Sequence, residues 1–316
     1  MSNLLADPRA SQSHPAVHRR FSQVAWCVLA YNTLVVLWGA FVRTTGSGAG
    51  CGDRWPLCNG MMLPRAPRIE TVIEFIHRAT SGLALACVAA LCLWAFRLFP
   101  RGHQARRFAV LSVLLLLVEA LLGAGLVLLR YVAHNASAGR ATYLSAHLVN
   151  TQILLAMLAL TAWFGSDAPS RPWRSAPKLV LAALPVAILV AVSGALAALG
   201  DTLFPAASVA SGMRQEFSRT AGALLRLRAL HPALAVSSSA VLLGAAAKAR
   251  RSGCIQAVRL GNILVTLVFL QLAAGGLNIV LLAPGWMQIL HLLLADLIWI
   301  VLVITTLEIG VLRLTH

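Results

Sequence analysis

Four of the nine histidines lie inside long apolar segments, where a polar ring needs a reason to be present. They are His77, His147, His231 and His291, and each lies about six residues into its segment. At a helical rise of about 1.5 Å per residue, all four rings would lie roughly 9 Å below the same surface of a helical bundle. Neutral imidazole is a common metal ligand, and two histidines on facing helices can hold an iron porphyrin in a four-helix bundle. The spacing therefore favours two metal centres, one for each pair.

Two other interpretations of these histidines stay open. Each ring could simply hydrogen-bond to a neighbouring helix, as polar groups in membrane bundles do. The four could also form a proton relay, but relays tend to run across a membrane and these rings share one depth. Matched depth in two similar halves favours metal ligation over both alternatives.

The segments that carry the histidines have the length and composition of membrane-spanning helices. Hydrophobic residues make up 59% of the 316 residues and charged residues 11%, whereas about a quarter of a soluble domain is charged. This composition excludes an ordinary soluble enzyme, a disordered chain and a disulfide-rich secreted module. A transmembrane helix needs about 20 mostly apolar residues, and eight segments qualify: 24–43, 71–96, 107–129, 141–165, 178–199, 225–247, 257–282 and 286–312.

The two halves of the chain resemble each other. Glu119 stands four residues before Gly123 in the third segment, and Gln271 stands four residues before Gly275 in the seventh. Four spans per half give both halves the same membrane orientation, as in a parallel repeat. The predicted fold is an all-α integral membrane protein whose eight transmembrane helices form two pseudo-symmetric four-helix bundles. The predicted divisions are a cytoplasmic tail (1–23), an N-terminal half (24–165), a cytoplasmic linker (166–177) and a C-terminal half (178–316).

The charge is strongly positive, with 26 Lys and Arg against 10 Asp and Glu, a net charge of +16. The arginines are spread among short segments between the spans and are not gathered on one face, which argues against nucleic-acid binding. Basic residues beside spans favour the cytoplasmic side. An inside N-terminus puts the larger share of them there, so both termini are expected in the cytoplasm. The first span lacks a cleavage site and is expected to be retained.

The residue three positions before the first histidine differs in charge between the halves. Glu74 precedes His77 and Arg228 precedes His231, each on the same helix face as its histidine. A carboxylate beside a porphyrin can act as a general base, a proton donor or a stabiliser of positive charge. Glu74 is therefore the candidate catalytic residue, and an ion pair with Arg78 is the alternative. Glu119 and Asp296, also inside spans, are either functional or protonated packing residues.

Arginines and glycines near the histidines could serve a porphyrin. The guanidinium groups of Arg78, Arg226 and Arg228 are candidates for pairing with its propionates, or they extend to lipid phosphates instead. Small residues within the spans could make room for a flat macrocycle, namely Gly82, Gly123, Gly125, Gly194, Gly244, Gly275 and Gly276.

Cys51 and Cys58 lie in the loop after the first span. On an oxidising outer side, their spacing allows a small disulfide-closed loop. This pair is either a structural link or a redox-active, substrate-handling pair. The other four cysteines are expected to be unpaired.

Two motifs resemble those of bacterial heme A synthases. The run from Arg43 to Gly60, with Cys51, Trp55-Pro56 and Cys58, resembles the first extracellular loop of that family. The run Ile73 to Arg78 resembles the Glu-x-x-His-Arg motif that opens their second helix. His147, His231 and His291 fall where the family has its other three histidines. The resemblance covers residues 24–312.

This resemblance implies an activity. Heme O, which carries a farnesyl tail, would be oxidised at a ring methyl group (C8) by successive hydroxylations, giving the formyl group of heme A for aa3-type terminal oxidases. It implies a heme b cofactor with His231 and His291 as axial iron ligands. It also implies that the substrate heme binds near His77 and His147 as iron ligands, with Glu74 assisting.

The resemblance also implies partners and a location. A heme O synthase, which is a farnesyltransferase, and cytochrome oxidase assembly factors would work with the chain in the bacterial cytoplasmic membrane, in contact with lipid. A homo-oligomer is compatible with the sequence. Residues 200–224 lack the second cysteine pair of many members, and Glu119 stands where glutamine is expected. A di-heme cytochrome b that passes electrons and a heme transporter or chaperone are the alternative functions.

Overall fold

The computed structural model describes residues 8–166 and 176–312, and side chains within 16–166 and 176–309. The described residues form nine α-helices and one 3₁₀ turn, with an isolated β-bridge between Cys58 and Met61. Eight of the helices are long and apolar enough to cross a membrane. The predicted all-α membrane fold with eight spans is therefore confirmed.

The helices follow one another with short connections. They are α1 Pro8–Thr44, α2 Ile69–Leu98, α3 Gln104–Leu128, α4 Ala138–Phe164, α5 Lys178–Leu203, α6 Val209–Glu216, α7 Ala223–Arg250, α8 Ile255–Val280 and α9 Gly285–Leu312, with the 3₁₀ turn at Ser47–Ala49. The short helix α6 was not predicted, because its eight residues are too few and too polar to form a span. Ser208 and Ser211 begin it with a reciprocal capping box.

The first helix begins well before residue 24, the predicted start of the first span. Among the residues with described side chains, Ala16–Thr44 is long and apolar enough to cross a membrane. Phe21 is fully buried and packs edge-on against Trp94 and Phe99, while the Ser22 hydroxyl donates to the Ala162 carbonyl at 2.8 Å. These contacts extend the helix into the predicted tail (1–23). Residues 1–7 of that tail and residues 167–175 of the predicted linker (166–177) lie outside the described part.

The spans pack mainly on neighbours within their own half of the chain. In the first half α1 packs on α2 and α4, and α3 packs on α2 and α4. In the second half α7 packs on α5 and α8, and α8 packs on α9. The halves meet where α4 contacts α5 and α9 and where α1 contacts α9. Because they lie at this junction, α4 and α9 are the most buried spans.

The peripheral spans turn apolar side chains away from the protein. Leu34, Leu121, Leu189 and Phe269 are among the large apolar residues that are more than half exposed. A soluble protein would not expose so many, but lipid tails solvate such surfaces. The four histidines all lie towards the same end of the spans, here called the histidine end, and the opposite end is called the far end.

Candidate functional site

A cavity of about 1480 Å³ extends from the histidine end into the middle of the protein. Its wall includes His77, His147, His231 and His291, so residues of both halves enclose it. Pockets for one small molecule usually measure about 300–1,000 Å³. The structure therefore places the four predicted histidines around one cavity, and the volume of that cavity is larger than a single small ligand requires.

Each of the four rings packs against a glycine on a neighbouring span. At Gly194, an added Cβ would lie 2.9 Å from Cε1 of His231, and at the other three glycines it would lie 3.1–3.6 Å from a ring atom. Contacts below 3.4 Å require the ring to shift or the neighbour to give. The four pairs are His77 with Gly39, His147 with Gly123, His231 with Gly194 and His291 with Gly275.

Three of these glycines were predicted from the sequence, and Gly39 was missed. Gly39 could have been found by aligning the halves, because Gly39-Ala40 on α1 corresponds to Gly194-Ala195 on α5. The other predicted glycines differ in their surroundings. Gly82 and Gly276 line the cavity with open space beside them, whereas Gly125 packs on Tyr143 and Gly244 on Leu179.

The two histidines of the second half face each other. Their ring centres are 6.4 Å apart and their planes are nearly perpendicular, at 88°. Two imidazoles that share one metal ion at about 2 Å each have ring centres roughly 6 Å apart. The spacing of His231 and His291 therefore fits two axial ligands of one metal ion.

Hydrogen bonds indicate which nitrogen of His231 is free. Nδ1 of His231 lies 2.9 Å from Oγ of Ser193, and that hydroxyl donates its proton to the Val190 carbonyl at 2.8 Å. The Ser193 oxygen therefore accepts from Nδ1–H, which leaves the lone pair on Nε2. His291 has a buried Nδ1 without a partner, and its Nε2 lies 3.1 Å from the Gln271 amide nitrogen.

The histidines of the first half are held differently. Nδ1 of His147 lies 2.9 Å from a carboxylate oxygen of Glu119, so Nε2 is again the free nitrogen. His77 has a buried Nδ1 without a hydrogen-bond partner. A buried ring nitrogen without a partner is costly unless a ligand binds. Within the described residues, no three or more His, Cys, Asp or Glu side chains converge on a metal site, but a porphyrin iron needs only two.

Glu74 is buried beside His77, with 3% of its surface exposed, and it lines the cavity. One carboxylate oxygen accepts from the Cys51 backbone N–H at 2.8 Å. The other accepts from Arg78, at 3.1 Å from Nε and 2.5 Å from Nη2. The Glu74–Arg78 ion pair, which the sequence offered as the alternative role, therefore exists. Glu74 also fastens the loop after α1 through its bond from Cys51.

That loop is closed by a disulfide between Cys51 and Cys58, which are both buried. Arg78 donates through Nη1 to the Leu57 carbonyl at 2.7 Å, and Thr71 donates to the Gly50 carbonyl at 2.8 Å. Gly50 allows this docking, because a Cβ there would lie 2.4 Å from the Glu70 carbonyl oxygen. Cys27, Cys87, Cys92 and Cys254 are unpaired, as expected.

Arg228 anchors the corresponding region of the second half. It donates to Glu216 at 2.7 Å, to the Phe204 carbonyl at 3.0 Å and to Gln215 at 3.2 Å, and it pairs with Asp201 at 3.4 Å. It thereby fastens the segment that contains α6 onto α7. The opposite charges three residues before His77 and His231 thus have a structural reason, since each holds its own covering segment.

The three arginines predicted as partners of porphyrin propionates differ in their position relative to the cavity. Arg78 and Arg228 line the cavity while making the protein contacts above, whereas Arg226 is exposed and is absent from the cavity wall. The structure adds Arg43 and Arg140, which line the cavity and were not singled out. Arg43 joins the halves, because it donates to the Ala198 carbonyl and to Gln288, each at 2.9 Å.

Asp296 is fully buried where the halves meet. Its Oδ1 accepts from the Gln152 amide at 2.9 Å, and its Oδ2 has no partner. Gln152 and Asp296 each follow a histidine, His147 or His291, by five residues, so equivalent positions of the two halves meet here.

Among known proteins, some relatives match most of the chain and others match about a third of it. A Protoheme IX farnesyltransferase of Thermus thermophilus is 48% identical over 290 residues, which are 90% of this chain and 47% of that protein. A Heme A synthase of Alkalihalophilus pseudofirmus is 45% identical over 94 residues, covering 30% of this chain and 32% of the relative. A Heme A synthase of Exiguobacterium sibiricum is 38% identical over 111 residues, covering 35% and 37%.

The chain thus spans about half the length of the Thermus relative, and its match to each synthase covers about a third of that synthase. The family described as cytochrome oxidase assembly protein, COX15-CtaA, matches residues 22–303. That match reaches all eight spans and includes the four histidines that line the cavity. The chain therefore belongs to the COX15-CtaA family of cytochrome oxidase assembly proteins.

Proposed function

We propose that this chain is a heme A synthase, which converts a ring methyl group (C8) of heme O to the formyl group of heme A. The observation that carries the proposal is the cavity shared by two histidine pairs, each ring of which packs on a glycine. The family supports a role in cytochrome oxidase assembly, and two relatives are named Heme A synthase.

The second half would hold the cofactor, a heme b, between His231 and His291. Their 6.4 Å ring separation and the acceptor nitrogen left on His231 by Ser193 suit two residues that would bind one heme iron. When bound, this heme would supply electron transfer at the cavity.

The first half would receive the substrate heme near His77 and His147. Gly39 and Gly123 leave room beside the two rings. Trp55 and Pro56 of the disulfide loop line the same cavity, together with apolar residues such as Leu116, which suit a farnesyl tail. Glu74 would act there on the substrate as a general acid or base, since its carboxylate lies in the wall near His77.

Arginines in the cavity wall would attract the heme propionates. Arg78 and Arg228 are in that wall, and guanidinium groups pair well with carboxylates. Arg226 is exposed and would instead contact lipid headgroups.

The proposed location is the bacterial cytoplasmic membrane, with the histidine end facing out and both termini in the cytoplasm. The proposed partner is a heme O synthase. In support, a relative named Protoheme IX farnesyltransferase contains a segment 48% identical to this chain within a protein about twice as long. Other cytochrome oxidase assembly factors are expected partners as well.

Heme analysis of cells tests the proposed activity. The chain would be produced together with a protoheme IX farnesyltransferase in a host that makes no heme A, and extracted hemes would be separated by reverse-phase chromatography. We expect heme A to appear. Only heme B and heme O, from cells that contain the folded and heme-loaded chain, would contradict the proposal and favour an electron-carrying cytochrome b or a heme transporter.

Spectra of purified variants test which half holds the cofactor. His231→Ala removes one proposed axial ligand and should abolish the low-spin spectrum of the resident heme. His77→Ala should leave that spectrum and abolish heme A formation. The reverse pattern would place the cofactor in the first half.

A further inference from the structure

Glu119 lies at the centre of a polar cluster on α3 and α4. It accepts a hydrogen bond from Nδ1 of His147 at 2.9 Å and from the Asn150 amide at 2.6 Å. The Thr151 hydroxyl also contacts it. His147 and Asn150 contact different oxygens of Glu119, so both oxygens act as acceptors.

The second half lacks this cluster. Gln271 takes the place of Glu119, but its amide nitrogen lies 3.1 Å from Nε2 of His291, so Nδ1 of that ring has no carboxylate partner. The Oε1 atom of Gln271 is buried without a partner. Asn150 and Thr151 follow His147 by three and four residues, whereas Leu294 and Ala295 follow His291 at those positions. The carboxylate and its two additional donors therefore occur together in the first half and are replaced together in the second.

The Glu119 contact fixes how His147 presents its ring. With Nδ1–H donated to the carboxylate, the lone pair lies on Nε2. Nε2 lies 3.6 Å from the place of a Cβ on Gly123, and His147, Glu119 and Gly123 all line the cavity. Metal-binding histidines in proteins characteristically donate their other N–H to a carboxylate or carbonyl, which orients the ring and raises its basicity.

We propose that Glu119 is a positioning residue that fixes His147 as an iron ligand and makes it a stronger electron donor than His291. This inference rests on the proposed function, in which each histidine pair binds a heme. A stronger axial donor stabilises ferric iron, and hydrogen bonds to axial ligands are one means by which proteins tune heme potentials. Heme in the first half should therefore have a lower reduction potential than heme in the second half.

A reciprocal exchange between the halves tests the proposal. Glu119→Gln gives the first half the amide of the second, and Gln271→Glu does the reverse, both with nearly unchanged side-chain size. The full chain would be purified in lipid nanodiscs from a host without a farnesyltransferase and loaded with hemin. Its redox titration would be followed by visible absorption, and the ferric form by electron paramagnetic resonance.

We expect two heme components in the parent chain. Glu119→Gln should raise the lower potential and shift one low-spin ferric signal, with the other component unchanged. Gln271→Glu places a carboxylate beside the His291 ring and should lower the higher potential. A purely structural role would change the amount of bound hemin or the melting temperature without moving either potential.

Two results would overturn the inference, and they differ in meaning. Unchanged potentials in Glu119→Gln, with two hemes bound as in the parent, would remove Glu119 from heme tuning while leaving the proposed synthase intact. Failure of the parent chain to bind hemin at both histidine pairs would contradict the proposed function as well.

Discussion

Glu74 shows how one buried side chain can serve two purposes. Its carboxylate holds the disulfide loop through the Cys51 N–H and pairs with Arg78, yet it also lines the cavity near His77. The first contact needs an acceptor atom, which an amide also supplies. Proton transfer needs a group that can take and give a proton, which an amide cannot do.

Glu74→Gln therefore separates anchoring from catalysis. The amide loses the ion pair with Arg78, but we expect heme binding close to that of the parent, because the amide oxygen can still accept from Cys51 and Arg78 still donates to the Leu57 carbonyl. We expect heme A formation to fall about a hundredfold or more, the usual contribution of a positioned acid or base. Single-turnover conversion of bound heme O measures this rate. Activity within a few-fold of the parent would restrict Glu74 to holding the loop.

Substitution of a glycine beside a histidine tests the packing of the ring more specifically than removal of the histidine does. In Gly194→Ala the new methyl group would lie 2.9 Å from Cε1 of His231, so the ring must move. We expect the low-spin spectrum attributed to the second half to weaken or shift while the helices stay folded. Absorption and circular dichroism spectra measure the two properties.

Gly222→Ala is the matched control for Gly194→Ala. Gly222 precedes α7, is absent from the cavity wall and has no atom within 4 Å of an added Cβ. Equal effects of the two substitutions on the spectrum would show that close packing at His231 is unimportant.

At the scale of the elements, α2 and α7 each carry a histidine and an anchor for the segment that covers the histidine end. On α2 the anchor is Glu74 and the covering segment is the disulfide loop. On α7 the anchor is Arg228 and the covering segment contains α6. The two anchors have opposite charges because their partners differ. Glu74 accepts from a backbone N–H and an arginine, whereas Arg228 pairs with two carboxylates.

Removal of the α7 anchor should loosen its covering segment. In Arg228→Met, Asp201 and Glu216 lose their buried partner, and breaking such pairs typically costs about 3 kcal/mol. We expect faster amide hydrogen exchange across residues 204–216 and a lower melting temperature. Arg226→Met, two residues earlier and exposed, should change neither quantity. Parent-like exchange in Arg228→Met would mean that other contacts hold the segment.

At the scale of the whole molecule, the halves meet through α4 and α9, and a polar pair lies in that junction. Asp296 Oδ2 and Gln152 Oε1 are both buried acceptors without partners. A proton on Asp296 would supply the missing donor, in addition to the bond from the Gln152 amide to Oδ1.

Substitutions at Asp296 should distinguish hydrogen bonding from charge at this junction. Asp296→Asn offers both a donor and an acceptor and should keep the thermal stability of the parent. Asp296→Leu leaves the Gln152 amide unpaired and should lower stability by about 1–3 kcal/mol. Detergent-based thermal unfolding measures both variants. A large loss in Asp296→Asn would indicate that a negative charge is required.

Membrane orientation is the second property of the whole molecule that can be measured. Met62 is 86% exposed at the histidine end, and Arg251 is exposed at the far end. We expect Met62→Cys to react with a membrane-impermeant maleimide in intact cells and Arg251→Cys to react only after permeabilisation. The parent chain measures background labelling of its free cysteines, and the opposite labelling pattern would invert the proposed topology.

The sequence by itself determined the features that depend on local composition and spacing. A run of about 20 apolar residues is sufficient to predict a span, so all eight spans were found. The position of each histidine within its span placed all four at one depth, and three of the four glycines beside them were among the seven named within spans. The first helix extends further than predicted because Phe21 and Ser22 pack on α2 and α4, contacts that composition does not reveal.

Tertiary structure alone decided which polar groups far apart in the sequence meet. The partners of Arg228 lie 12 to 27 residues away along the chain, and Gln152 and Asp296 are 144 residues apart. No local pattern encodes such pairs, because they depend on how helices far apart in the sequence pack together. The same reason applies to Glu119. The sequence showed it as an unusual acid within a span, but its contact with His147 depends on the packing of α3 on α4.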